Sequence, residues 1–129
     1  MKTQRFALAV LLVLVGLLPS PAAAQKVVAP DEAARHVGEL VTVEGVVTQV
    51  SMSRSNTTFV NFGAPYPKQA FNAVIFSSSR GRFDDPSQWQ GKRLRVTGKV
   101  RLYRGKPEII LERPNQVELS PQAEINQPS

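Results

Sequence analysis

The chain has 129 residues, which is enough for one small domain with one hydrophobic core. It contains no cysteine, so disulfides and cysteine-based zinc sites are excluded and the domain must be stabilised by packing. Its formal net charge is +6 and is unevenly distributed, because residues 80–113 hold ten Arg or Lys against four acids, a surplus that favours anionic partners.

The first 24 residues have the pattern of a secretory signal peptide. Lys2 and Arg5 precede an unbroken apolar run over residues 7–18, and the alanines at 22–24 supply the small residues of an A-x-A cleavage site. The run has about twelve residues, fewer than the roughly twenty that span a bilayer, so we expect cleavage after Ala24 rather than a retained membrane anchor. The protein is therefore expected in the periplasm of a bacterium or secreted, with no membrane attachment after cleavage.

The next part of the chain is predicted to contain a short helix and a long strand. Residues 25–29 form a short leader, and residues 30–38 are predicted to be helical, with acids in the first turn and a glycine at the end. Residues 40–52 are predicted to be the first strand. Gly45 interrupts the alternation of its apolar side chains, which indicates a bulge or a sharp coil.

Two shorter strands and a second helix are predicted to follow. Residues 57–62 and 71–76 are the second and third strands, because each is rich in β-branched and aromatic residues between turn signals. Residues 77–82 hold only Ser, Gly and Arg and are predicted to be a loop. Residues 85–89 have the start of a helix, with an acid to cap it and a proline at the first helical position, and Trp89 is expected to be mostly buried.

Residues 92–103 are predicted to be the fourth strand, because apolar and polar side chains alternate strictly along them. The side chains expected to be buried are Leu94, Val96, Val100 and Leu102. Those expected to be exposed are Arg93, Arg95, Lys99, Arg101 and Tyr103. An exposed face of cations and an aromatic is typical of a surface that binds a polyanion with stackable rings, such as nucleic acid. A basic strand that only keeps the protein in solution is the alternative.

The remaining elements complete a small all-β domain. Residues 104–106 are predicted to form a tight turn, and residues 107–112 the fifth strand, with a possible continuation at 116–119. Residues 120–129 lack apolar periodicity and are predicted to be a flexible tail, so the folded domain is expected to span residues 25–119. Five strands, a short helix between the third and fourth, and a short N-terminal helix predict a five-stranded OB-fold barrel.

Five segments of the chain, in order, resemble a known family. They are residues 41–47, 58–63, 71–76, 91–100 and 105–109, which include V-x-G-x-V and G-K-P-E-I elements. They resemble the OB-fold nucleic-acid-binding domains of the anticodon-binding type, in particular those found alone in exported bacterial proteins or attached to extracellular nucleases. The likeness covers about residues 37–119. It implies a ligand groove across the second and third strands, flanked by residues 51–56 and 103–106, although OB folds also bind sugars and proteins.

Eight side chains are candidates for contact with nucleic acid: Arg54, Asn61, Asn72, Arg80, Arg82, Tyr103, Arg104 and Lys106. Three of the cations lie in the loops that would flank the groove, where they could contact phosphates while Tyr103 stacks on a base. The other two cations lie in a glycine-containing loop. The alternative for every cation is an ordinary solvated charge. The asparagines interrupt strands, where Asn is disfavoured, so they either bind a base edge or occupy an exposed edge position. The phenylalanines at 59, 62, 71 and 76 are expected to be divided between core and groove.

The sequence contains no catalytic constellation, so we expect a binding protein rather than an enzyme. His36 is the only histidine, and the chain offers neither a cysteine nucleophile nor a convergent set of acids, so no metal or other cofactor is expected. The favoured function is an exported, monomeric module that binds single-stranded DNA or RNA. The alternatives are a periplasmic OB-fold protein that binds a protein partner, a cation or a small ligand, with a role in envelope stress or beside an enzyme, and an enzyme accessory domain that stands alone.

Overall fold

The structure is a computed structural model that describes residues 26–64 and 66–121. The predicted signal peptide and residues 122–129 of the predicted tail lie outside the described residues. The described chain contains eight strands, namely β1 (Val27–Val28), β2 (Leu40–Met52), β3 (Thr58–Phe62), β4 (Phe71–Ile75), β5 (Arg93–Lys99), β6 (Arg101–Tyr103), β7 (Lys106–Ile110) and β8 (Val117–Leu119).

The helical segments between these strands are short. There are 3₁₀ helices at Pro30–His36, Pro86–Trp89 and Pro114–Gln116, and one α-helix, α1, at Ser77–Arg80. Each 3₁₀ helix begins with a proline, whose fixed φ angle and missing N–H suit the first helical position. In the part of the chain that the structure describes, no helix is long and apolar enough to cross a membrane.

The strands form one sheet in the order β6-β7-β4-β3-β2-β5-β8, and β1 is added to β2 in parallel. β2 belongs to both halves of the sheet, because residues 40–46 pair with β5 and residues 47–52 pair with β3. β4 pairs in parallel with β7. Since β5 and β6 are separated in the chain only by Val100, the sheet curls back on itself without closing. This connectivity, with the short helices between β4 and β5, is that of an OB fold and confirms the predicted all-β class.

The hydrophobic core lies inside the curled sheet. Its largest fully buried side chains are Phe62, Phe71, Ile75, Leu94, Ile109 and Leu111, together with Val41, Val43, Val47, Val60, Val74 and Val96. The rings of Phe62 and Phe71 meet edge to face at 5.4 Å, an arrangement that adds about 0.5–1.5 kcal/mol to the burial of their area. Leu94, Val96 and Val100 are buried as the alternation predicts.

The prediction that Leu102 is buried is wrong, because its side chain is 52% exposed. The predicted fourth strand is two strands. After Lys99 the chain leaves the ladder with β2, and Val100 forms an isolated bridge with Val37. β6 then pairs with β7 at the end of the sheet, so Leu102 has no strand beyond it to cover it. Arg95 is also less exposed than predicted, since its side chain is only 33% exposed.

Three further predicted elements differ from the structure. The supposed loop at 77–82 contains the α1 turn, closed by bonds such as Ser79 N to Phe76 O and anchored by the burial of Ser79. The supposed leader contains β1, which pairs with β2 and buries Val28. The supposed continuation of the fifth strand is β8, which the 3₁₀ turn at Pro114–Gln116 redirects to the far side of β5.

Gly45 has a different role from the one predicted, whereas Trp89 packs against the core as expected. A Cβ at Gly45 would lie 2.5 Å from Pro30 Cγ, so Gly45 allows the first 3₁₀ helix to pack on β2, and the register shift of β2 lies between Val47 and Gln49. Trp89 is mostly buried, as predicted. Its ring packs against the core and meets Phe83 edge to face at 6.3 Å.

Candidate functional site

A groove of about 560 Å³ crosses β3 and β4 between the β2–β3 turn and the β6–β7 hairpin. This is where the family resemblance predicts a ligand groove. It is lined by Ser51, Met52, Ser53, Phe59, Asn61, Tyr66, Pro67, Gln69, Asn72, Tyr103, Arg104, Lys106 and Glu108. The curled sheet and the buried side chain of Gln69 form its floor, and the turn, the hairpin and the exposed part of the β3–β4 loop form its rim.

The groove brings together five of the eight predicted site residues. They are Asn61, Asn72, Tyr103, Arg104 and Lys106. Arg54 is exposed in the β2–β3 turn, beside the lining residue Ser53 but outside the lining itself. Arg80 and Arg82 lie outside the lining as well, and their guanidinium groups donate to the carbonyl oxygens of Phe83 and Glu112. Contact of these side chains with nucleic acid stays a prediction.

A continuous row of polar residues crosses five strands of the sheet. Its members are direct cross-strand partners from β2 to β6: Gln49, Asn61, Asn72, Glu108 and Arg101. Direct partners point to the same side of a sheet, so the row forms a polar strip, and its three central members line the groove. Asn61 Nδ2 donates to Gln49 Oε1 at 3.3 Å at one end, and Arg101 Nε donates to Glu108 Oε1 at 2.8 Å at the other.

The floor of the groove is desolvated although it is polar. Asn61, Asn72, Gln69 and Glu108 are 2%, 9%, 6% and 4% exposed. Among the described residues, the side-chain oxygens of Asn72 and Gln69 are buried and accept no hydrogen bond. A buried polar atom without a partner costs about 1–3 kcal/mol, so the floor holds hydrogen-bonding capacity that no described protein group uses.

The β6–β7 hairpin presents an aromatic ring and a cation on one rim. Tyr103 is 51% exposed, and the guanidinium carbon of Arg104 lies 5.2 Å from the centre of its ring. Arg104 and Gly105 have φ angles of 52° and 79°, which form a two-residue turn of the type I′ class. Asn and Gly are the residues that this turn prefers, so the Arg at position 104 is placed against the local backbone preference.

Lys106 fastens the hairpin to the opposite rim. Its Nζ donates to the carbonyl oxygen of Pro67 and, at 3.3 Å, to that of Gln69. These bonds connect β7 with the β3–β4 loop and hold that side of the groove in place, while the ammonium group keeps its positive charge at the rim.

Most of the exposed cations of the predicted fourth strand are paired with acids. Glu44 accepts a hydrogen bond from Arg93 Nε at 3.0 Å and a second from Arg95 Nε. The Arg95 bond is the main reason that the pKa of Glu44 lies below its ordinary value of 4.5. Arg101 is paired with Glu108 at 2.8 Å. None of the cations of β5 lines the groove, so the β5 part of the basic face is separate from the site, whereas Tyr103 at the end of that face lines it.

Eight of the thirteen lining residues were not among the candidates, and different signals bear on four of them. Phe59, which lines the groove and is half-buried, belongs to the phenylalanines expected to be divided between core and groove. Tyr66 is 73% exposed in a loop whose prolines mark it only as irregular. Gln69 and Glu108 are buried, and their positions depend on strand register, which the local sequence does not contain. Within residues 26–64 and 66–121, no group of three or more His, Asp or Glu side chains could hold a metal ion.

Comparison with known proteins shows a shared fold. No protein-family model and no curated protein matches the chain. Part of an aspartyl-tRNA synthetase from Entamoeba histolytica is similar in structure, with a TM-score of 0.52 and 14% identity over 76% of this chain and 22% of that one. A putative aspartyl-tRNA synthetase from Leishmania major Friedlin has a TM-score of 0.49 and 8% identity, over 78% and 21% of the two chains. An asparaginyl-tRNA synthetase from Entamoeba histolytica has a TM-score of 0.45 and 18% identity, over 77% of this chain and 24% of that one.

The chain therefore spans about a fifth to a quarter of the length of these synthetases. At such low identity the likeness bears on the fold alone. The strand connectivity, together with the likeness to the structure with the TM-score of 0.52, assigns this chain to the OB-fold architecture.

Proposed function

We propose that the protein is an OB-fold module that binds single-stranded DNA or RNA in the groove between the β2–β3 turn and the β6–β7 hairpin. The observation that carries the proposal is the pairing of Tyr103 and Arg104 on the rim above a desolvated polar floor. An exposed ring beside a guanidinium group offers a base a stacking surface and a phosphate a charge partner. Buried amide groups beneath it offer hydrogen bonds to the base edges.

The fold supports this choice of ligand. OB folds bind oligonucleotides on the face that carries this groove, between the two loops that flank it here. The solved structure with the TM-score of 0.52 belongs to a tRNA synthetase, an enzyme that handles RNA. The proposal includes export, on the pattern of residues 1–24, and binding without catalysis.

The test is a titration of the purified protein with labelled single-stranded DNA and RNA of about twelve nucleotides, at about 50 mM salt. Tyr103→Ala should weaken binding by about 1–3 kcal/mol through lost stacking. Arg104→Asn should weaken binding to every sequence alike. This variant removes the charge but supplies a residue that the type I′ turn prefers, so it is not expected to unfold the hairpin.

Arg35→Gln, which changes an exposed cation of the first 3₁₀ helix outside the groove, is the matched control and should bind like wild type. If the wild-type protein binds neither nucleic acid at about 50 mM salt, where charge attraction is weakly screened, the proposal fails.

A further inference from the structure

We propose that the floor of the groove selects nucleobases that carry an exocyclic amino group, and that Glu108 imposes this choice. The inference rests on the nucleic-acid binding proposed above. Glu108 lines the groove and is only 4% exposed, so a ligand that reaches the floor meets a carboxylate largely removed from water. An ionised carboxylate accepts hydrogen bonds and donates none.

One of the two carboxylate oxygens of Glu108 already has a partner within the protein. Arg101 approaches it with Nε and Nη2, each at 2.8 Å, and both contacts end on Oε1. Among the described residues, no hydrogen bond ends on Oε2. The ion pair with Arg101 therefore fixes the carboxylate and offsets its charge, and Oε2 remains an acceptor for a ligand.

The amide groups beside Glu108 do not determine whether a ligand must donate or accept a hydrogen bond. Asn72 is its direct cross-strand partner, and Gln69 lines the same floor. A half-turn of a terminal amide exchanges its oxygen and nitrogen, and this torsion is roughly two-fold, so each amide adapts to a donor or to an acceptor. Glu108 cannot adapt in this way. Glu108 therefore determines that a ligand at the floor must donate a hydrogen bond.

The need for a hydrogen-bond donor separates the bases that carry an amino group from those that do not. Adenine, cytosine and guanine carry an NH₂ group that can donate to Oε2, whereas the base edge of thymine and uracil offers only the N3–H, which lies between two carbonyl oxygens. A thymine or uracil that donates its N3–H to Oε2 brings both flanking carbonyl oxygens toward the carboxylate, and these acceptors repel it and lack partners in a desolvated site. Glu108 does not repel the anionic ligand from the floor, because the neutral bases lie at the floor. The charged phosphates meet Arg104 at the rim instead.

The test compares two homopolymers, dC12 and dT12, at the same salt concentration. Both are pyrimidine strands of equal charge and length, so they differ mainly in the edge that reaches the floor. Wild-type protein should bind dC12 at least about fivefold more tightly than dT12, the low end of what one good base contact contributes. Glu108→Gln should reduce the ratio to within about twofold, because glutamine can donate as well as accept.

Arg104→Asn is the matched control and should weaken binding to both strands while the ratio stays at its wild-type value. The wild-type ratio tests the inference even if Glu108→Gln does not fold. Equal binding of dC12 and dT12 by wild-type protein, or tighter binding of dT12, would overturn the selectivity and leave the proposed function standing. Binding of neither strand would overturn both.

Discussion

Glu44 lies between two arginines of β5 on the outer side of the sheet. Its side chain is 18% exposed, whereas those of Arg93 and Arg95 are 54% and 33% exposed. The hydrogen bond from Arg95 is the largest contribution that keeps the pKa of Glu44 below its ordinary value, and the same contact raises the pKa of Arg95. This cluster stabilises the pairing of β2 with β5, because Glu44 and Arg95 are direct cross-strand partners.

The cluster predicts a pH dependence of stability. The pKa of Glu44 is lower in the folded protein than in the unfolded chain, so its contribution is present above pH 4.5 and is lost as the pH falls through the folded value. Glu44→Gln should destabilise the protein by about 0.5–1 kcal/mol near pH 7, as is usual for a partly exposed pair. The difference in Tm between wild type and variant should shrink as the pH falls from about 6 to about 3.

Thermal unfolding across that pH range measures the effect. Glu32→Gln, which changes an exposed acid in the first 3₁₀ helix, is the control. If wild type and Glu44→Gln lose stability in parallel as the pH falls, the cluster does not contribute as described.

The contact between β5 and β7 depends on the absence of a side chain at Gly98. A Cβ there would lie 2.5 Å from Ile109 Cγ2 and 3.3 Å from Gln116 Nε2. Both neighbours are constrained. Ile109 is fully buried and β-branched, and Gln116 Nε2 donates to the carbonyl oxygens of Thr97 and Ile110 at 3.0 Å each. The glycine therefore sets how closely the two strands approach where the sheet curls.

Gly98→Ala should cost about 1–3 kcal/mol of unfolding free energy, the usual cost of overpacking a core. Gly81→Ala is the matched control, because Gly81 has helical backbone angles and a Cβ there would meet nothing within 4 Å. That variant should be neutral or stabilised by up to about 1 kcal/mol. Urea unfolding of both variants measures the contrast, and a Gly98→Ala variant within about 0.5 kcal/mol of wild type would show that β5 and β7 can move apart freely.

At the scale of elements, the sequence predicts those strands whose pattern is local. The bounds of β2 coincide with the prediction because apolar side chains recur along all thirteen residues. The break at Val100 could not be predicted, because the alternation runs unchanged from Leu94 to Leu102 while the partner strand changes from β2 to β7. The two-residue β1 is too short for any period to show and exists because β2 offers an edge to it.

The residues of the candidate site also divide into those with a local sequence signal and those without one. Tyr103, Arg104 and Lys106 could be predicted from their place in a short hairpin turn, and Asn61 and Asn72 from their rarity in strands. Glu108 could not, because its burial depends on Arg101, its partner across the β6–β7 ladder, and on Asn72 across the β4–β7 ladder. These neighbours are set by register between strands, which no single segment encodes.

For the whole molecule, the distribution of charge matters more than its total. The net charge of +6 and the surplus of cations in residues 80–113 suggest a broad basic surface. In the structure, some of these cations are paired with acids and others line the groove. Arg93, Arg95 and Arg101 are paired with Glu44 and Glu108, and among the cations of the described residues only Arg104 and Lys106 line the groove. Arg54 is exposed next to it. An oligonucleotide in the groove therefore meets two or three cations rather than the whole basic stretch.

This distribution predicts a shallow dependence of binding on salt. Each phosphate contact with a single strand contributes a slope of about −0.7 in a plot of log K against log salt concentration, so two or three contacts should give a slope of about −1.4 to −2.1. Arg104→Asn should flatten the slope by about one contact, whereas Tyr103→Ala should lower affinity and leave the slope nearly unchanged, because stacking releases no counterions. Arg93→Gln, which alters a paired cation outside the groove, should leave both affinity and slope as in wild type. Titrations with a single-stranded oligonucleotide between about 50 and 200 mM salt provide the measurement. A wild-type slope steeper than about −3, or a flatter slope in Arg93→Gln, would mean that the strand extends over β5 and that the paired arginines exchange their acids for phosphates.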